Sequence, residues 1–359
     1  MFHAPIWFPA CLPSSRHPLS FPILASRHAG RTLYAFRLLG ALGVPFSIFY
    51  FRSYKKLLTN PTKRHTLSQM EKLTTQKRAA VLRCLIEGMS IRATSRITGT
   101  AKNTIANLLE QTGEACAAYQ SENFRNLPCK VMQLDEVWSF VGCRDKNKTE
   151  AIGPHPGDVW TWTSICAETK LIPAWRVDDR STRACVDFCE DLGQRFSGTI
   201  QVTSDGLAAY SFAVRRAFDE VHFAQLVKWY GKDEQGMDVV IRAEKQPVCG
   251  QPNMDLVSTS YVERSNLTLR MGNRRFTRLT NAFSKKIENH RHSLAITFMH
   301  YNFCRKHSTI KTTPALAAGM ADHQWTLEEV IEMTDAYFVA KEEAMFEAAF
   351  AALELPQNV

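Results

Sequence analysis

Lys130 to Gly142 reads KVMQLDEVWSFVG. Its β-branched and aromatic residues suit a pleated, half-buried strand, yet Asp135 and Glu136 stand at its centre. A buried strand accepts a carboxylate only where something offsets its desolvation. Successive side chains on a strand point to opposite faces. Asp135 therefore shares a face with Gln133, Val137 and Ser139, while Glu136 shares the bulkier face of Leu134, Trp138 and Phe140. Asp135 is the expected site residue.

Downstream, DVWTWTSICAET (158–169) predicts a second strand and LIPAWRVDD (171–179) a third, with a turn about Glu168 to Lys170. TRACVDFCEDLGQRF (182–196) has helical spacing, with Cys185 and Cys189 four apart as core residues. TIQVTSDGLAAYSFAVRRAF (199–218) then reads as a strand ending at Asp205, followed by a helix. The order is strand, strand, strand, helix, strand, helix, a mixed α/β unit. Asp205 lies at a strand exit, where such sheets place reactive groups. Each acid also has a plainer role: Asp205-Gly206 is a good turn dipeptide, Asp178 and Asp179 suit a helix cap or solvent, and Ser260 with Glu263 fits a capping box.

Upstream, residues 73–120 carry three helix signals. TTQKRAAVLRCLIEG stops at Gly88. Ser90 is placed to cap SIRATSRIT, which ends at Gly99, and Thr100 to cap TAKNTIANLLEQTGEACAAY, with Ile105, Leu108 and Leu109 inward. A short helix, a glycine turn and a longer helix form a helix-turn-helix pattern, in which Lys102, Asn103, Thr104 and Asn107 would face DNA. A plain three-helix packing module fits the same signals.

The charge of the 359-residue chain is unevenly spread. Of 44 Lys and Arg, nine lie in residues 1–69, which hold no acid, leaving 35 against 35 acids from Met70 onward. The basic signal of the folded part is therefore local: eleven Lys or Arg between Arg264 and Lys311 face one acid, Glu288. Residues 1–69 are rich in Pro, Ser, Arg and Phe without periodicity and are expected to be an atypical leader outside the fold, with Met70 the expected translation start and a targeting leader the alternative. The apolar run Leu38–Phe51 is interrupted by Pro45 and is shorter than the roughly 20 residues that span a bilayer. No membrane association is expected. The ten cysteines form no CxxC and no cysteine and histidine pairing at zinc spacing, which fits a reducing cytosol.

Three segments, QLDEVWSFVG (133–142), VTSDGLAAY (202–210) and SYVERSNLTLRMGNRRFTRLTNAFSKK (260–286), resemble the transposases of the insertion-sequence-one family, and HYNFCRKHSTIKTTPALAAG (300–319) adds a tail seen in related transposases and integrases. The resemblance runs from about Lys130 to about Lys311. It implies a ribonuclease-H-like catalytic domain with a DDE triad of Asp135, Asp205 and Glu263 holding Mg²⁺ or Mn²⁺. Arg264, Asn266, Arg270, Arg274, Arg275 and Arg278 would then meet DNA. The sequence departs from the family in a polar run from Lys232 to Asp255, read as an insertion at about 231–256, and in having no zinc-finger cysteines before the helix-turn-helix.

The expected organisation is a leader at 1–69, a helix-turn-helix domain at 70–125, a ribonuclease-H-like domain at 126–320 and a helical tail at 321–359, whose capping box runs from Thr326 to Glu329. By this resemblance the protein is expected to bind the terminal inverted repeats of an insertion sequence and to cut and join strands, as a homo-oligomer on DNA in the nucleoid of a prokaryotic cytoplasm. A catalytically silent DNA-binding regulator of the same ancestry is the alternative. A hydrolase using the acids as a general acid and base leaves the cationic segment unexplained.

Overall fold

The computed structural model describes residues 73–149, 157–277 and 281–354. The expected leader and Arg278 lie outside the described residues. Those described belong to one compact unit that begins at Leu73.

β1 (Val131–Val141) is a central strand. β2 (Gly157–Cys166) pairs antiparallel with it and β3 (Trp175–Asp178) antiparallel with β2. The chain returns through α4 (Thr182–Gly193) to β4 (Ile200–Asp205), which runs parallel to β1 on its other side. After α5 (Ala208–Ala217), β5 (Val221–Lys232) pairs parallel with β4, and β6 (Asp238–Cys249) closes an antiparallel hairpin. The sheet order β3-β2-β1-β4-β5-β6 is the ribonuclease-H-like arrangement with one added edge strand. The first four strands and both helices lie where the sequence expects them. β5 and β6 were not expected. In β6 the apolar and charged residues alike are mostly exposed, as on an edge hairpin, so no buried face leaves an alternating pattern to read.

Among the described residues, three helices precede the sheet: α1 (Thr75–Ile86), α2 (Ile91–Thr98) and α3 (Lys102–Asn123). The Ser90 hydroxyl caps α2 by accepting the Ala93 amide at 3.1 Å. Thr100 does not cap α3. The left-handed Gly99 (φ 65°) turns the chain so that Thr100 is buried and Ala101 takes the cap position without a side-chain bond. Ile105, Leu108 and Leu109 are buried, as expected.

The later elements are α6 (Ser260–Gly272), which packs on β1 and β2, α7 (Ile287–Met299), which packs on α3, a π-helical turn at His300–Cys304, the short α8 (Pro314–Ala317), and α9 (Leu327–Glu354), which packs on α1 and α3. Two cores result, and β1 divides them by its pleat. Leu134 joins Trp162, Phe188 and Tyr210 on one side, in a core continuous with residues of α1, α3, α7 and α9. Val137 joins Val262, Leu269, Leu294 and Phe298 on the other. α3 crosses α7 closely enough that a Cβ at Gly113 would lie 2.3 Å from the Cβ of His292. The Thr326–Glu329 capping box forms in both directions. The Thr326 amide donates to the Glu329 carboxylate at 2.7 Å, and the Glu329 amide donates to the Thr326 hydroxyl at 3.2 Å. No helix among the described residues is long and apolar enough to cross a membrane.

Candidate active site

β1 and β4 are in register up to Gln133 opposite Thr203. Two residues further along each strand stand Asp135 and Asp205, side by side where the ladder ends. Carboxylate oxygens of Asp135, Glu136 and Asp205 all lie within 4.8 Å of one another. Glu136 is the member of this cluster that the alternation argument set aside. Its main-chain position assigns it to the opposite face, but past the last β1–β4 pair its carboxylate reaches Asp205. The adjacent Asp-Glu pair in a strand centre was the signal for it.

Three like charges converging in a partly buried place raise their proton affinity. Burial, then the nearby Asp205, pushes Asp135 up to about 6. The same two causes push Glu136 up to about 7. The Tyr210 hydroxyl partly offsets this, and to a lesser degree so does Arg180, which donates from Nη2 to Glu136 Oε2 at 3.2 Å while its guanidinium stacks over the Trp160 ring at 4.6 Å. The Tyr210 hydroxyl is buried against Glu136, and that carboxylate helps push its pKa up. Asp205 is oriented by the Leu207 amide, which donates to Oδ1 at 3.0 Å, and Gln225 Nε2 donates to the Asp205 carbonyl at 2.8 Å.

The face of β1 that carries Asp135 also carries the device that seats α6. Gln133 Oε1 accepts from the amides of Tyr261 and Val262, at 2.8 and 3.1 Å, satisfying two of the donors that a helix start leaves unpaired. With α6 anchored there, Asn266 is buried and donates from Nδ2 to Asp135 Oδ2 at 2.7 Å. Its Oδ1 accepts from the Thr163 hydroxyl at 3.2 Å.

Glu263 lies outside the carboxylate cluster. Its side chain is 48% exposed and ion-paired with Lys228 of β5, and the Thr259 hydroxyl donates to it at 2.6 Å. The Ser260–Glu263 capping box does not form. Thr259 holds the cap position without capping through its own side chain, and Gln133 supplies the acceptor that a capping serine would. Lys228 was missed because the run containing it was not read as a strand.

Of the expected DNA contacts, Lys102, Asn103, Thr104, Asn107, Arg264 and Arg274 are exposed. Arg270 is half-buried. Arg275 is turned inward: Nη1 donates to the Ser284 hydroxyl at 2.9 Å, and burial lowers its pKa to about 10. Ser284 also meets Nδ1 of the buried His290, whose Nε2 meets Ser139. Burial lowers His290 to about 3, so the ring is a neutral structural link.

No protein-family model and no curated protein matches this chain. Among solved structures, one similar chain is that of a piggyBac transposase synaptic complex with hairpin DNA, at 10% identity over 82% of this chain and 78% of that one, TM-score 0.31. Another is a Mos1 transposase paired-end complex with the left transposon end, at 13% identity over 52% of this chain and 70% of that one, TM-score 0.17.

The donor set fits a hard divalent cation. Carboxylate oxygens are what Mg²⁺ and Mn²⁺ take, and three of them converge here within 4.8 Å of one another.

Proposed function

We propose that the protein is a DNA transposase of the insertion-sequence-one type, which binds the terminal inverted repeats of its element and cuts and joins strands with Mg²⁺ or Mn²⁺. The observation that carries this reading is the convergence of Asp135, Glu136 and Asp205 within 4.8 Å at the ends of two parallel strands of a ribonuclease-H-like sheet. A bound divalent ion would neutralise charge on the scissile phosphate and its attacking and leaving oxygens. Asp135 and Asp205 would hold it. Glu136 tightens the negative field there, and Asn266 fixes the rotamer of Asp135.

Glu263 is assigned as the third ligand, from a neighbouring position. It lies one helical turn before Asn266, and releasing its ion pair with Lys228 would free its carboxylate. Arg264, Arg270 and Arg274 on and after α6, with Lys102, Asn103, Thr104 and Asn107 at the start of α3, would offset the repulsion between phosphates and a carboxylate cluster. The helices at 73–123 are assigned to end recognition, the sheet unit to chemistry, and the active form to a homo-oligomer on DNA.

One observation favours the rival reading of a catalytically silent regulator: Glu263 is paired with Lys228 rather than with the cluster. Strand cleavage and transfer on the DNA flanking this reading frame separates the two. Asp135→Asn, Asp205→Asn and Glu263→Gln should each bind the ends with unchanged affinity and lose at least about 10²-fold in cleavage, the scale for removing one electrostatic stabiliser. Cleavage that survives all three substitutions, or wild-type protein that binds the ends without divalent-dependent nicking, would reject the assignment.

A further inference from the structure

At the start of β1, six residues before Asp135, the structure holds a second group of metal-type donors. Cys129 lies in the connector from α3, Cys166 ends β2, and Glu168 lies in the β2–β3 turn. The two Sγ atoms and a Glu168 oxygen are within 4.8 Å of one another. We infer that Cys129, Cys166 and Glu168 form a binding site for a thiophilic divalent cation of the zinc type, distinct from the carboxylate cluster and independent of the transposase reading.

Three features carry this. The first is spacing. Cys166 Sγ is 3.1 Å and Cys129 Sγ 3.8 Å from Glu168 Oε2. A tetrahedral zinc with bonds of about 2.3 Å to sulfur and about 2.0–2.2 Å to oxygen sets a sulfur and an oxygen ligand roughly 3.6 Å apart, a value that these two distances bracket. The second is the company that Glu168 keeps. This exposed carboxylate turns toward two thiols and also accepts from the Lys130 amide at 3.4 Å. The Cys129 thiol also donates to the Val131 carbonyl at 3.3 Å, but thiol hydrogen bonds are weak, whereas a cation would be shared by all three groups. The backbone amide then acts as the orienting outer contact that metal-bound carboxylates commonly have.

The third is framing. The Ala167 amide donates to the Val131 carbonyl at 2.8 Å and the Lys170 amide to the Cys166 carbonyl at 3.0 Å, so connector and turn are already tied together. Cys166 is buried, Cys129 half-buried and Glu168 exposed, which leaves an open side for entry and for a water as fourth ligand. The two cysteines lie 37 positions apart, which explains why no sequence spacing reveals the group. An ion here would clamp the connector from the helical layer to the sheet turn.

The test is a Co²⁺ titration of the full chain, purified under reducing conditions with chelator and then desalted. One equivalent should produce an intense near-ultraviolet sulfur-to-cobalt charge-transfer band that Zn²⁺ abolishes by displacement. The Cys129→Ser, Cys166→Ser double variant should lose the band. Glu168→Gln keeps both thiols, guards against a folding defect in the double variant, and should bind Co²⁺ at least about tenfold more weakly, the smallest loss that even outer-shell partners cause. Absence of the band in protein whose thiols react freely would overturn the site. So would its persistence in the double variant, or a Cys129–Cys166 disulfide in the reduced preparation. Oxygen donors such as the carboxylate cluster give no such band, so the outcome says nothing for or against strand cleavage.

Discussion

At the scale of single residues, the carboxylate cluster couples proton binding to stability. Free Asp and Glu titrate near 4. The folded chain holds Asp135 at about 6 and Glu136 at about 7. The native state therefore binds these protons more tightly than the unfolded state, and stability falls as pH rises from about 4 to about 7, with the full penalty above that. Metal-free protein should melt at a lower temperature at pH 8 than at pH 5, by an amount on the order of 3 kcal/mol in stability. Glu136→Gln should remove part of that slope, and added Mn²⁺ should reverse it at pH 8. A melting temperature for the metal-free protein that rises from pH 5 to pH 8 would contradict the geometry. The same residues mark a limit of reading by alternation. Asp135 was legible as an acid on a strand, whereas the part of Glu136 depended on where the β1–β4 ladder stops.

At the scale of elements, the position of α6 relative to β1 depends on Gln133. Its single carbonyl oxygen serves two helix-start amides, and α6 then delivers Asn266 to Asp135. Gln133→Leu leaves those amides unpaired at a site that includes the buried Val262, a cost of about 1–3 kcal/mol. It should lower the melting temperature and also weaken Mn²⁺ binding by loosening Asn266, a pairing that Gln133→Glu, which keeps the acceptor, should largely restore to stability. The sequence pattern suggested a serine and glutamate capping box at this helix. The structure uses a residue 127 positions upstream of Ser260 instead, because a strand edge already lies against the helix start. At Thr326 and Glu329 no such neighbour intervenes, and the local capping box forms as its residues suggest.

At the scale of the whole molecule, the helical layer and the sheet share one core, and α9 closes it. Leu327, Val330 and Ile331 are buried, Arg78 makes a two-point ion pair with Asp335 at 2.8 and 2.7 Å, and the Tyr337 hydroxyl reaches Glu114 at 3.1 Å. Burying each aliphatic side chain contributes about 1.5–3 kcal/mol. A chain ending before Leu327 should therefore melt about 10 °C lower or more in a thermal scan, at roughly 2–4 °C per kcal/mol. A truncated chain that melts with the full-length protein would show α9 to be an appendage.

The alternation in KVMQLDEVWSFVG, the strand and helix order through Phe218, the glycine stops at Gly88 and Gly99, and the positions of Asp135 and Asp205 all follow from local chemistry: side-chain period, backbone freedom and the cost of burying charge. Those are properties of neighbouring residues, and a linear sequence states them directly. The gathering of Glu136 with the two aspartates, the pairing of Glu263 with Lys228 and the meeting of Cys129 with Cys166 and Glu168 join residues 35 or more positions apart or depend on where two strands part. Such distances are set by sheet register and helix packing, which arise only when the whole chain has folded.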